Sequence, residues 1–268
     1  MSASELSGAG ARPGEPAPSS GAGEAVIDRA FAVLGAFDTD HRVLPLAALA
    51  RRTGLPRSTA LRLARKLTGT GALERLDDGC YVIGLRLLEI ASLAPRGHGL
   101  RAVAMPYLED LFQVTGQHVL LAVRDGEEAL LVERLSAHNA SPASFRVGGR
   151  MPLSGTGVGL VLLAHAPVQV QERVLGHFEP GQGGDAVRTA EELRRVLAEV
   201  RRGGYATARQ ASPPWTTVAA PVRDGDSVVA AVSVVAPSGD FDTAAYVPAV
   251  RATARAVSRQ MNDLRRPG

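Results

Sequence analysis

Apolar and polar positions follow two rhythms along this chain, and the change of rhythm divides it. Ile27, Ala30, Phe31 and Leu34 fall at i, i+3, i+4 and i+7, which predicts one face of a helix. A polar loop over 38–42 follows. Pro45 then opens a short helix over Leu46–Arg52 with Leu46 and Leu49 as its apolar face; proline suits a first helical turn because its missing N–H is not needed there. Thr53-Gly54-Leu55 reads as a tight turn in which Gly54 takes positive φ. Pro56 opens a third helix that runs to Thr68 and stops at Gly69–Gly71. Two short helices joined by a short glycine-containing turn make a helix-turn-helix pattern. On the third helix Ala60, Leu61, Ala64 and Leu67 share one side, and Ser58, Thr59, Arg62, Arg65 and Lys66 share the other.

Beyond it, Ala72–Leu76 and Cys80–Ile83 are short β-prone runs around Asp77-Asp78-Gly79, a hairpin placed as a wing. Leu85–Leu93 returns to a helical period, as a linker or a dimer-contact helix, and Pro95, Gly97 and Gly99 break it. From Leu100 the rhythm becomes mixed. Helices are predicted at Val103–Thr115, Gly155–His165, Val168–His177, Ala190–Arg202 and Thr243–Leu264. Strands are predicted at His118–Val123, Ala129–Leu135, Phe145–Leu153, Tyr205–Arg209, Thr216–Val222 and Val228–Val235, with a glycine-rich loop over Glu179–Val187. Hairpin strands with helices grouped around them indicate an α+β domain rather than a doubly wound parallel sheet. The organisation expected is a disordered Ser/Ala/Gly/Pro tail over 1–24, a winged helix-turn-helix over 25–84, a linker helix over 85–99 and an α+β domain over 100–268.

Charge sharpens the picture of the first domain. The net charge of +3 says little, but between Arg42 and Arg75 there are eight basic residues (Arg42, Arg51, Arg52, Arg57, Arg62, Arg65, Lys66, Arg75) and one acidic residue, Glu74. That local excess suits a polyanion. An apolar stripe backed by a polar, basic stripe is what a helix lying in a DNA major groove requires, although many solvated surface helices share it. With 45 % apolar residues the chain can build a real core, and no apolar run approaches the ~18–20 residues of a membrane helix. No basic segment followed by an apolar stretch opens the chain, so a soluble, cytoplasmic protein is expected.

The residue inventory sets enzymes aside. The lone cysteine, Cys80, makes no intramolecular disulfide or zinc framework and reads as a strand-packing residue. Gly155-Thr156-Gly157-Val158-Gly159 resembles a nucleotide loop but has Leu160 where the dinucleotide fingerprint needs its third glycine, so no cofactor is expected. No G-x-S-x-G elbow occurs, and Lys66 is the sole lysine. His41, His98, His118, His138, His165 and His177 show no metal-ligand spacing. Glu127-Glu128 and Glu191-Glu192 sit beside a turn and at a helix start, where solvation and capping explain them better than catalysis. No catalytic residue and no metal site is expected.

Several stretches resemble the IclR family of bacterial regulators: Leu49-Ala50-Arg51-Arg52-Thr53-Gly54-Leu55-Pro56-Arg57-Ser58-Thr59, Tyr81-Val82-Ile83-Gly84-Leu85-Arg86-Leu87-Leu88-Glu89 and Met151-Pro152-Leu153-Ser154-Gly155-Thr156-Gly157. Val200-Arg201-Arg202-Gly203-Gly204-Tyr205-Ala206 and Ala219-Ala220-Pro221-Val222 follow in the same order. The resemblance spans Val26 to Met261 and implies a ligand-responsive DNA-binding regulator, a repressor in the usual case, acting on a roughly palindromic operator. It implies a GAF-like C-terminal domain holding a small organic acid or aromatic effector, and a homodimer or homotetramer. It places Arg57, Ser58, Thr59, Arg62, Arg65 and Lys66 on the DNA-facing helix, and Ser154, Gly155, Thr156, Gly157, Thr217 and Ser233 around the effector. A glycine-rich helix start is a natural seat for a carboxylate. The sequence departs from the family at Ala208-Arg209-Gln210-Ala211 and at Pro214-Trp215-Thr216-Thr217, which sets the one tryptophan, Trp215, beside that pocket, to stack on a ligand or to fill its space. The alternative is a metabolite sensor that acts through a protein partner.

Overall fold

The structure, a computed structural model, describes residues 21–136, 145–179, 181, 187–211, 214–239 and 241–265. The chain forms two compact units that divide between Ile90 and Ala91, inside the segment expected to be a linker.

The first unit contains α1 (Gly21–Leu34), α2 (Leu46–Thr53), α3 (Arg57–Gly69), a two-stranded hairpin of β1 (Leu73–Arg75) and β2 (Tyr81–Ile83), and most of α4, which starts at Leu85 and ends at Ser92. α1 begins four residues inside the segment read as a tail; residues 1–20 lie outside the described ones. Pro45 and Pro56 stand one position before their helices, as extended N-cap residues rather than inside the first turn. Gly54 takes φ +67° after α2, and its N–H donates to Arg51 O, so the tight turn falls where the glycine was expected. Leu44 pairs with Tyr81 through two backbone hydrogen bonds of 3.0 and 2.8 Å, tying the segment before α2 to the hairpin. At the wing, Gly79 takes φ +84° and Cys80 N–H donates to Asp78 Oδ1 at 2.9 Å.

The small core of this unit holds Val33, Leu49, Leu63, Ala64, Leu73 and Tyr81. Two expectations are corrected there. On α3 the buried stripe is Ala60, Leu63 and Ala64, with Leu67 packed against it, and Leu61 lies on the flank. On α1 the buried residue is Val33, whereas Ile27 and Phe31 are 61 % and 69 % exposed. Gly84 closes the wing onto the turn after α3: a Cβ there would sit 2.1 Å from Gly71 O, so the glycine in the Tyr81–Glu89 stretch is a packing requirement.

The second unit is an antiparallel sheet flanked by helices. A π-helical turn, Pro95–Gly99, leads into α5 (Leu100–Thr115), so within the expected 85–99 linker the helix ends before Pro95, Gly97 and Gly99, where the break was expected. β3 (His118–Asp125) and β4 (Glu128–Leu135) form a hairpin, followed by β5 (Arg150–Pro152). Then come α6 (Gly157–Ala164), α7 (Val168–Gly176), α8 (Ala190–Gly203), β6 (Ala206–Gln210), β7 (Trp215–Asp224), β8 (Ser227–Pro237) and α9 (Thr243–Arg265). The strand order is β5-β4-β3-β8-β7-β6, and every pairing is antiparallel, the α+β arrangement expected. β5 is much shorter than the predicted Phe145–Leu153 because Gly148 takes φ +78° and the chain turns there. Residues 137–144, including His138, and most of the Glu179–Val187 loop lie outside the described residues.

Side-chain alternation assigns the two faces of the sheet. Leu120, Ala122, Ala219, Ala231 and Val235 join α6 and α8 in one core. Val119, Leu121, Val218, Val232 and Val234 join α5 and α9 in the other. α6 is apolar all round and buried over its full length, so it is a core helix and not a surface one. α8 is amphipathic and starts on a capping box: Thr189 Oγ1 accepts from Glu192 N–H, and Glu192 accepts from Thr189 N–H. The other acidic pair is equally accounted for, since Glu127 pairs with Arg173 and Glu128 with Arg150.

Candidate functional site

Two surfaces carry the chemistry, one in each unit. On the first, α2 and the turn at Gly54 hold α3 so that Arg57, Ser58, Arg62, Arg65 and Lys66 are exposed, while Thr59 is half-buried. Among the described residues, none of Arg57, Arg62, Arg65 and Lys66 takes part in an ion pair. Other basic residues of the segment are committed elsewhere. Arg52 donates to Ala36 O at 2.7 Å and pairs with Asp38, and Arg42 donates to Thr39 O. A hydrogen bond from His41, with backbone N–H groups of residues 40 and 41 assisting, holds the Asp38 carboxyl down to about 2. The single acidic residue, Glu74, accepts from Leu85 N–H at 3.0 Å and so caps α4. The result is an open row of cations along one helix with its counter-charges drawn away. Cys80 is half-buried, and partial burial together with Asp78 holds its thiol above the ordinary value, which disfavours the reactive thiolate.

The second surface lies on the α6 side of the sheet. Gly155, Thr156, Gly157, Thr217 and Ser233, all anticipated from the sequence, line one small cavity with Leu120, Val158, Val235 and Gln210. Thr156 is the N-cap of α6: its hydroxyl accepts from Gly159 N–H at 3.0 Å and donates to Pro152 O at 3.1 Å. The next helical N–H groups, at Gly157 and Val158, belong to the first turn, which has no intrahelical acceptor. Gly157 lets β7 approach, since a Cβ there would lie 2.7 Å from Thr217 Cγ2. Ser233 is fully buried, and its hydroxyl has no hydrogen-bond partner. The free volume of the cavity is about 10 Å³, room for roughly one water. Among the described residues no charged side chain lines it.

Ser154 and Trp215 do not line this cavity. Ser154 is buried just before it. Trp215 stands two residues from Thr217 on the same face of β7, 7 % exposed, and meets the ring of His118 edge-on. Sequence reading missed His118. It is 3 % exposed, neither ring nitrogen has a hydrogen-bond partner, and burial, with a smaller contribution from Arg134, pushes its imidazole below the ordinary value. The signal was its parity: two residues before Leu120, it must face α6. Among the described residues no group of histidines, cysteines and carboxylates could hold a metal ion, and no helix is long and apolar enough to cross a membrane.

Both units match one family of known proteins. Residues 26–77 match the IclR helix-turn-helix domain, and residues 94–259 match the bacterial transcriptional regulator IclR C-terminal family. The glycerol operon regulatory protein of Streptomyces coelicolor is 30 % identical, over 88 % of this chain and 95 % of its own. The HTH-type transcriptional repressor AllR of Klebsiella pneumoniae is 27 % identical, over 92 % and 93 %. The crystal structure of an IclR homolog complexed with 4-hydroxybenzoate, from Microbacterium hydrocarbonoxydans, is 35 % identical, superposes with a TM-score of 0.83, and shares 89 % of this chain and 99 % of its own. These relatives are regulators and not enzymes, and the chain belongs to the IclR family of DNA-binding transcriptional regulators.

Proposed function

We propose that this regulator is a ligand-responsive repressor whose effector, a small organic acid or aromatic metabolite, sits between the α6 N-terminus and strands β7 and β8. The observation that carries the reading is the fully buried, unpartnered Ser233 hydroxyl in the wall of a cavity that opens on the first turn of α6. An unsatisfied buried hydroxyl costs stability, and a ligand oxygen would satisfy it. Helix N–H groups and the helix dipole favour a carboxylate there, and the apolar remainder, Leu120, Val158 and Val235, suits a ring or short chain. The related structure that contains 4-hydroxybenzoate is consistent with that chemistry. Because the cavity is nearly filled, loading requires β7 or α6 to shift, and an effector acts only through the difference in its affinity for the two arrangements.

DNA contact is assigned to α3. Arg57, Ser58 and Thr59 at its start reach base edges or phosphates, and Arg62, Arg65 and Lys66 meet phosphates. The exposed Ile27 and Phe31 on α1, with Leu85 and Leu88 on α4, form apolar surface that supports a homodimer, and hence two α3 helices on a roughly palindromic operator. Higher assembly to a homotetramer is compatible with the same surface.

Trp215 is the sole tryptophan, so intrinsic fluorescence reports on this one neighbourhood. Titrating the protein with 4-hydroxybenzoate and related small acids should change that emission saturably. The same acids should release, or recruit, a labelled duplex from the region beside the gene in an anisotropy assay with random competitor. Sequence-specific DNA binding that no small acid alters, with a tryptophan signal that never moves, would remove the effector reading and leave an unliganded regulator.

A further inference from the structure

We propose that a second anion site lies in the groove between β7 and α9, on the sheet face opposite the effector cavity, and that it takes a compact polyanion such as a phosphorylated or polycarboxylate metabolite. The groove holds about 400 Å³, within the range of small-ligand pockets. Four arginines line it, Arg223 from β7 and Arg251, Arg255 and Arg259 from α9, and among the described residues no carboxylate does. The three on α9 are spaced four residues apart and so share one side of the helix.

This arrangement is unfavourable for the free protein. Like charges at i and i+4 destabilise a helix. α8 shows the ordinary solution, with Glu191, Arg195 and Glu199 alternating in sign at the same spacing. On α9 the nearest acid, Asp263, lies a turn beyond Arg259 and outside the groove lining. Arg251 is partly occupied, its guanidinium 5.8 Å from the centre of the Tyr205 ring, and Arg223 donates to Asp226 O and to His165 Nε2. Arg255 and Arg259 are exposed, and neither takes part in an ion pair among the described residues. The floor is set by polar contacts: Ser258 Oγ accepts from Arg223 N–H at 2.8 Å, and Asn262 Oδ1 accepts from Gly225 N–H at 2.8 Å, which leaves the Asn262 NH₂ as a further donor. The guanidinium groups of Arg255 and Arg259, which take part in no ion pair among the described residues, suit the oxygens of phosphates and clustered carboxylates, and with Arg251 and Arg223 beside them a single carboxylate would leave most of the charge unmatched.

The test is calorimetry and thermal shift on the full chain with pyrophosphate and with citrate, at fixed ionic strength, and with acetate as the single-charge control. Saturable binding of pyrophosphate, citrate or both, with a raised Tm and no effect of acetate, is expected; which of the two binds separates phosphate from carboxylate ligands. The double variant Arg255→Gln/Arg259→Gln should weaken that binding by about tenfold or more, as loss of charge-assisted hydrogen bonds predicts. It should also melt no lower than the parent without ligand, because repulsion is relieved. Arg62→Ala/Arg65→Ala should leave the binding intact. No saturable binding of either probe, equal binding by the Arg255/Arg259 variant, or loss of binding in the Arg62/Arg65 variant instead would each overturn the site.

Discussion

The edge of the His118 ring meets Trp215 with centroids 5.5 Å apart and planes at 63°, a contact between the first residue of β3 and the first of β7, two strands away across β8. It lies on the α6 side of the sheet, the face that also carries Thr217 and Ser233. Trp215→Ala should therefore cost about 3–5 kcal/mol, the range for deleting a buried aromatic. Trp215→Phe, which keeps a ring against His118, should lose much less. Urea unfolding followed by circular dichroism reads both; equal, small losses would mean that the contact contributes little to the fold.

Burial depresses the imidazoles of both His118 and His165 below the ordinary 6.5. The folded state therefore favours the neutral rings, and below about pH 6.5 the unfolded chain binds more protons than the folded one. Stability should be level above that pH and should fall as pH drops through it. Asp38, held at about 2, stays ionised throughout and adds nothing to this slope. Denaturant midpoints at about pH 7.5 and 5.5 should differ in the wild type and differ less in His118→Leu. A midpoint that rises on acidification would contradict the assignment.

Legibility in the sequence followed the strength of local rules. The helix-turn-helix was readable because Gly54 and the two prolines punctuate it by backbone sterics alone. Five of the seven residues named for the effector line one cavity, because the start of α6 and the alternation along β7 and β8 are local features. What failed depended on partners distant in sequence. Leu61 and Leu63 are equally apolar, and only the packing of α1, α2 and the hairpin on α3 selects Leu63. Ile27 and Phe31 have perfect helical spacing yet face outward, since periodicity reports that a face is apolar and not what covers it. His118 looked like one of several scattered histidines; its parity with Leu120 gives the face, and its register opposite Val235, one strand from Thr217, gives its place near the cavity.

On α3, exposure without ion pairing means that charge removal should be nearly neutral for folding, within about 0.5 kcal/mol. Its effect on DNA should be large and should differ by position. Arg65→Ala or Lys66→Ala should weaken specific and random duplexes alike and lower the slope of log affinity against log salt by about 1. Arg57→Ala, at the helix start, should instead narrow the gap between operator and random DNA by about 1–3 kcal/mol. Anisotropy at several salt concentrations separates the two patterns; an Arg57 variant that changes only the salt slope would move that residue to the phosphate class.

Two glycines of α6 make opposite demands on their neighbours. A Cβ at Gly159 would lie 2.6 Å from Pro152 O and 2.7 Å from Leu153 Cα, both backbone and unable to yield. A Cβ at Gly157 would lie 2.7 Å from Thr217 Cγ2, an atom that a single substitution removes. Alanine gains about 0.8–1 kcal/mol of helix preference over glycine, which offsets only part of an overpacking cost of about 1–3 kcal/mol. Gly159→Ala should therefore destabilise the second unit, and no change at Thr217 should rescue it. Gly157→Ala should destabilise less, should close the cavity to ligands, and should regain most of its lost stability when combined with Thr217→Ser. Urea midpoints for the two single variants and their Thr217→Ser combinations decide the matter: rescue of both, or of neither, would show that the approach of β7 to α6 is set by something other than the missing side chain at Gly157.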